Sequence, residues 1–252
     1  MRPSAVNSPP SSQRYVPGMS FSYFVLCDHG GRADLQLSAD DLSRFVEIVR
    51  ATPGLRKALV YTPEATVDPY LDDGPPPPLA AQLYFADVAA LEDALARDGY
   101  LQALAAPDVL ASLAGARITQ QAMLTRTFAV PDPVFRTGPG ELPCSYLVTY
   151  PGPADDLNEW LSFYISNHPS PMARLPGIRE LEVLTRIDWC GFLPWPRADA
   201  MLRNRVAFDS PAALTAALAS PVRHEMRADY KQFPPFIGGN THHPMATLVV
   251  TP

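Results

Sequence analysis

The strongest constraint on this chain is that it repeats itself. Phe21-Ser22-Tyr23-Phe24-Val25 reappears as Cys144-Ser145-Tyr146-Leu147-Val148, an offset of 123 positions. The same offset carries Pro53-Gly54-Leu55-Arg56 onto Pro176-Gly177-Ile178-Arg179 and Phe85 onto Phe208. It also carries Ala89-Ala90-Leu91 onto Ala212-Ala213-Leu214 and Ala94-Leu95-Ala96 onto Ala217-Leu218-Ala219. Near the ends the register slips by one, and Gln121-Ala122-Met123 matches His243-Pro244-Met245. One offset held across most of each half marks a duplication, so each half should build the same unit.

The order of elements within a half follows from local pattern. Short β-branched and aromatic runs at 23–27 and 146–150 read as strands. Ser38-Ala39-Asp40-Asp41 offers an N-cap ahead of a helical face of Leu42, Phe45, Val46 and Val49. In the second half Asp155 or Asp156 caps a helix bearing Leu157, Trp160, Leu161 and Tyr164. After the Pro-Gly turns come strands at 57–61 and 180–184, then long Pro-rich hairpin loops at 63–79 and 187–202. Pro75 to Pro78 cannot pair inside a sheet, which keeps that stretch in a loop. Third strands at 82–85 and 205–208, an Ala/Leu helix and last strands at 123–130 and 245–250 complete each half.

The result is β-α-β-β-α-β twice, an α+β chain of two ferredoxin-like repeats. One face of such a sheet carries helices, and the other is expected to be apolar and in need of cover. Two copies in one chain cover each other, sheets packed face to face, as a dimeric arrangement built into one polypeptide. The expected boundaries are a disordered leader at 1–20, repeats at 21–130 and 144–252, and a linker at 131–143.

Composition narrows the function. With 47% hydrophobic and 18% charged residues the chain can bury a sizeable core. Its net charge of −6, with scattered arginines, argues against a nucleic-acid partner. Cys27, Cys144 and Cys190 are too few and too widely spaced for a disulfide framework or a zinc knuckle. No apolar run spans a bilayer, so no membrane association and a cytoplasmic location are expected. Neither a phosphate-binding glycine loop nor a G-x-S-x-G elbow occurs.

Candidate chemistry concentrates in the second half. Trp160, Tyr164 and His168 recur at i, i+4 and i+8 and share a helix face, with Asn167 beside His168. Pro169 should end the helix at His168, where the macrodipole favours an imidazolium able to donate a proton. The competing reading is a histidine that merely caps the helix or packs under a loop. His242 and His243, adjacent in an extended stretch, should point to opposite faces, so one metal ion would not take both, and no metal is expected. His29 reads as a turn residue and His224 as part of a solvated helix face. Trp189, Phe192 and Trp195 in the second hairpin loop suggest a lid over an apolar pocket or padding at an interface, and Phe233-Pro234-Pro235-Phe236 another wall.

The stretch from Trp160 through Tyr164, His168 and Pro169, continuing to Pro176-Gly177-Ile178, resembles the first-helix signature of EthD-like proteins of the dimeric α/β-barrel superfamily. The first half keeps Pro53-Gly54 but has Phe45 in the place of His168. That superfamily includes cofactor-free lactone isomerases, polyketide cyclases, small monooxygenases and haem-binding enzymes. The resemblance implies a cofactor-independent isomerase, cyclase or lyase acting on a hydrophobic carbonyl or aromatic molecule. His168 would be its acid/base, oriented by Asn167 or Tyr164 and assisted by His243 or His242. Trp160, Tyr146, Trp189, Trp195, Phe233 and Phe236 would line the substrate. A non-catalytic binding or scaffold protein and a haem-binding protein or monooxygenase are the alternatives, and the tandem chain is expected as a possible homodimer. The first half would serve mainly as a structural partner.

Overall fold

The computed structural model describes residues 19–30, 32 and 34–252. The leader expected over 1–20 falls outside the described residues up to position 18, as does Gly31 of the Gly30-Gly31 pair; Ser20 already opens the first strand.

The first half runs β1 (Ser20–Asp28), α1 (Ala39–Arg50), β2 (Leu55–Pro63), β3 (Leu79–Phe85), α2 (Val88–Leu95) and β4 (Arg117–Phe128). The second runs β5 (Cys144–Tyr150), α3 (Leu157–Asn167), α4 (Pro169–Met172), β6 (Ile178–Arg186), β7 (Leu202–Phe208), α5 (Pro211–Leu218), α6 (Val222–Tyr230) and β8 (Thr241–Val250). Local chemistry sets the starts. Ser38 caps α1 by accepting from the Asp41 amide, Asp156 caps α3 through Glu159, and Ser210 caps α5 through Ala213. Ser38→Ala should cost about 1 kcal/mol in a denaturant melt, since it orphans one helix-terminal N–H. The repeated Pro-Gly turns place Gly54 at φ 77° and Gly177 at φ 76°, a backbone region that side chains resist.

Every strand begins earlier than the sequence suggested, β4 and β8 by the most. β4 starts at Arg117 because its polar Thr119, Gln120 and Gln121 pair with β1, a partner that sequence alternation alone does not reveal. β8 starts at Thr241 and contains Pro244, whose carbonyl accepts from Glu64 just where β2 has ended. The N–H that proline lacks would point to that same side, where no ladder partner remains.

The strands close into one antiparallel barrel in the order β1-β3-β2-β8-β5-β7-β6-β4. The two four-stranded sheets are therefore joined edge to edge, rather than simply stacked face to face. β2 pairs with β8 over residues 58–63, and β4 with β6 over 123–128. Among the described residues closure leaves no free edge strand, a liability for any open sheet.

Three cores result. One lies between β1–β4 and the first-half helices, around Tyr23, Phe45, Val49 and Leu83; another between β5–β8 and α3–α6, around Trp160, Tyr164, Val183 and Phe208. The third, inside the barrel, holds Phe24, Leu59, Tyr61, Tyr84, Leu147 and Met245. This interior is not the apolar face expected from sequence. Ser22, Gln82, Glu182 and Arg205 are also buried there, and they satisfy one another by hydrogen bonds across the halves. No helix among the described residues is long and apolar enough to cross a membrane.

Candidate functional site

A cavity of about 300 Å³ lies between the outer face of the second-half sheet and helices α3, α4 and α6. β5 floors it with Tyr146, Val148 and Tyr150, and β8 adds His242, which lies opposite Val148. His168, Met172 and Met226 come from the helices. The volume is at the small end of ligand sites, and the walls are mostly apolar with a few convergent polar groups.

His168 is 5% exposed. It closes α3 by giving its amide to the Tyr164 carbonyl, but the chain stays helical (φ −68°, ψ −34°), because Pro169 serves as the first residue of α4. The helix end is thus continued, and the expected preference for imidazolium does not hold. Burial holds the imidazole below its ordinary value of 6.5, although the carboxylate of Asp229 pulls the other way. Nδ1 of His168 lies 2.7 Å from Oδ2 of Asp229 on α6. With an acceptor there, Nδ1 carries the proton and Nε2 keeps a free lone pair. The geometry supplies a neutral, oriented base.

The aromatic residues picked out by sequence form a layer behind this histidine. Tyr164 and Phe233 contact the imidazole at ring distances of 4.9 and 5.1 Å. Trp160 stacks on Tyr164, and Phe236 packs against Trp160. None of these four lines the cavity; they fix the ring from the rear. The Tyr164 hydroxyl accepts from Asn204 at 2.5 Å, and burial pushes its pKa well up, so it stays a neutral phenol. Asn167 does not orient His168. Its amide donates to the Phe163 carbonyl one turn back, the usual fate of a partly exposed asparagine on a helix.

The adjacent histidines do point to opposite faces. His242 faces the cavity, with its ring 5.4 Å from Tyr146. Its backbone N–H and Nδ1 both lie 2.9 Å from Oδ2 of Asp73. Hydrogen bonding to His242 holds the Asp73 carboxyl below its ordinary range. His243 points into the barrel instead, away from His168, because side chains alternate along a strand. His29 bonds the Pro76 carbonyl and His224 is exposed, as a turn residue and a solvated face would be.

The first half contributes directly. Its hairpin loop, residues 64–78, crosses over the second-half pocket and brings Asp68, Leu71 and Asp73 with it. Asp68 accepts from the Tyr146 hydroxyl at 2.8 Å and from Arg223 at 2.9 Å; both partners of this ion pair are under a tenth exposed. The second-half loop, residues 187–201, crosses the other way. Trp189 and Leu193 are buried in the first-half core, with Trp195 against them, and Trp189 meets Tyr23 edge-on at 5.8 Å. Gln120, the counterpart of His242, donates to the carbonyls of Leu193 and Trp195 and accepts from Tyr23. Trp189 and Trp195 therefore fill the space that is open in the second half, and they do not border the His168 cavity. The loop is apolar because it plugs a core.

Sequence reasoning missed Asp229, Asp73, Asp68 and Arg223. Residues 223–227 read as a charged, solvated stretch, yet Arg223 and Met226 on α6 face inward at i and i+3. The one available signal for Asp68 and Asp73 was the length of their loop, since long ordered loops in compact domains tend to serve a site.

No protein-family model and no curated protein sequence matches the chain. Among solved structures, an anthrone oxidase-like protein aligns over 94% of both chains with a TM-score of 0.60 at 13% identity. That extent covers both halves and the closed barrel in one polypeptide. The chain shares that fold, an eight-stranded antiparallel α/β barrel closed within one polypeptide. A candidate monooxygenase from Fusobacterium nucleatum shares this barrel over 92% of this chain and 94% of its own, at TM-score 0.53 and 6% identity. An ethyl tert-butyl ether degradation family protein from Bacillus halodurans aligns 99% of its length with 44% of the barrel chain, at 16% identity. Its TM-score of 0.32 carries no weight. These identities speak to the fold alone.

Proposed function

We propose that this barrel is a cofactor-independent enzyme that moves a proton on a hydrophobic carbonyl or aromatic small molecule, with Nε2 of His168 as the base. One observation carries the reading: a buried imidazole that borders a mostly apolar cavity has its Nδ1 held by Asp229, which leaves Nε2 as the nitrogen free to meet a ligand. Removing a proton from carbon next to a carbonyl leaves charge on oxygen. Arg223, 7% exposed and fixed by Asp68, sets a cation in the wall where that charge is favoured. Asp229 stabilises the imidazolium as it forms. Return of the proton at another carbon is isomerisation, loss of a neighbouring group is a lyase step, and internal attack is cyclisation. The likeness to an anthrone oxidase-like protein and a candidate monooxygenase supports a further fate for the same carbanion, capture by dioxygen. A cavity of about 300 Å³ is a poor fit for a haem macrocycle, so no step is assigned to haem.

The matching element order and the 123-residue offset support a tandem of two ferredoxin-like units, in which the first pocket has been plugged and the second kept open.

The test is a library of aromatic ketones and enolisable carbonyl compounds, read by melting shift and by mass spectrometry, with dissolved oxygen followed in parallel. Product formation supports the reading. Stabilisation without product by every binder overturns it and leaves a binding protein. For a turned-over compound, kcat/KM should rise with pH through one ionisation below 6.5 and stay level at neutrality, since burial favours the neutral imidazole. A limb centred above 6.5 would exclude His168 as the base.

A further inference from the structure

We propose that the mouth of the barrel is a second binding site, which takes a small organic carboxylate on Arg203. This site lies on the other face of the sheet from the His168 cavity.

Arg203 and Arg205 both point inward from β7, two residues apart, but their surroundings differ. Arg205 is met by Glu182 and Glu180, and its Nη1 donates to Ser145. Arg203 is 6% exposed and has no carboxylate partner among the described residues. Its Nη1 donates to Thr149 at 2.7 Å, the ring of Phe24 covers it at 4.5 Å, and Nε has no partner. The Nε–Nη2 edge, which grips a carboxylate through two parallel N–H bonds, is therefore unclaimed. Burial alone lowers this guanidinium to about 10, the mark of a cation taken out of water without compensation.

A second unmet group shares the place. Nδ1 of His243 is buried without a partner, and His243 and Arg203 line the same cavity of about 80 Å³ inside the barrel. Room there is sufficient for a carboxyl group and little more. Leu26, Thr149 and Arg203 also border a wide cleft outside, about 590 Å³, where Arg117, Arg186 and Arg197 gather. Against these four arginines the cleft holds, among the described residues, only Asp28 and Asp199, and Asp199 is paired with Arg186. The mouth is thus locally cationic in a chain of net charge −6. Leu157 and Met201 give the cleft an apolar side for the remainder of the ligand. A buried unpaired cation at the base, an arginine-rich approach and an apolar shelf together describe a carboxylic acid anion entering carboxyl-first.

Sodium acetate is the probe, compared with sodium chloride at equal ionic strength. Acetate should raise the melting midpoint in proportion to ln(1 + [acetate]/Kd), by roughly 5–10 °C at a hundredfold excess over Kd. Arg203→Gln should abolish that rise, whereas His243→Asn should weaken it. If Arg203→Gln does not fold, the wild-type protein still decides: the 15N-coupled Nε–H resonance of Arg203 should shift with acetate along a saturating curve, with the Kd that the melting shift gives. The site is overturned if acetate changes neither the melting midpoint, beyond the chloride control, nor the Arg203 resonance. An equal rise in the folded Arg203→Gln variant assigns the effect to bulk salt and also overturns it. An equal response to chloride refutes the carboxylate class. None of these readouts depends on turnover at His168, so failure here leaves the proposed activity standing.

Discussion

Alanine at position 168 is expected to lower kcat on a turned-over substrate by about 10²–10⁴-fold, the usual contribution of a positioned acid/base. The melting midpoint should stay within roughly 5 °C of wild type, because the side chain borders a cavity and its Asp229 partner is one-fifth exposed to water. Asp229→Asn probes the same unit differently. An amide can donate to Nδ1, which moves the imidazole proton to Nε2 and removes the lone pair that faces the cavity. A loss of about 10²-fold or more should follow. The carboxylate also raises the pKa of His168, so residual activity should show its acid limb at lower pH than wild type. If the two residues act as one unit, the double variant will be no slower than His168→Ala alone. Additive losses would show that Asp229 serves some other purpose. Full activity in His168→Ala would refute the mechanism.

Some of this was legible in the chain and some was not, for reasons that differ by residue. The Pro-Gly turns, the Ser38 and Asp156 caps and the repeated apolar faces are local signals, and they give the order of elements. His168 was legible because Trp160, Tyr164 and His168 share a helical face. Its partner was not: Asp229 lies 61 positions away on a helix whose charges suggested solvent, and Asp73 lies 169 from His242. No spacing rule reaches that far. Trp189 and Trp195 were legible as apolar loop residues that must cover something, but not as crossing to the other half. Edge pairing of β2 with β8 and of β4 with β6 leaves no trace in either strand, so the barrel was expected through the family resemblance and not from strand pattern, which gave two sheets face to face.

The polar barrel interior makes the second large prediction. Glu182 Oε2 accepts from Tyr84 at 2.6 Å and from Gln82 at 3.3 Å, both from the first half, and from Arg205 Nε at 3.2 Å in the second. Arg205 also reaches Glu180, and Ser145 links it to Thr247. Glu182→Leu leaves the fully buried Arg205 with Glu180 as its one carboxylate and strips an acceptor from Tyr84. The expected cost is about 3–5 kcal/mol, a fall in melting midpoint of roughly 6–20 °C. Glu180→Gln should show the pH sign of the network. Burial would raise the Glu180 carboxyl, but Arg205 holds it below its ordinary 4.5, so its stabilisation is complete above 4.5 and fades as pH falls through the lower, folded value. The decisive comparison is Glu182→Leu with Arg205→Met in one chain. Removing both charges should cost less than either single change, because each single change strands a fully buried ion, whereas the pair of changes leaves only Glu180, which is one-third exposed to water. Should the double variant instead lose the sum of the two, Glu182 and Arg205 are independent contributors. They would then not act as one buried charged unit.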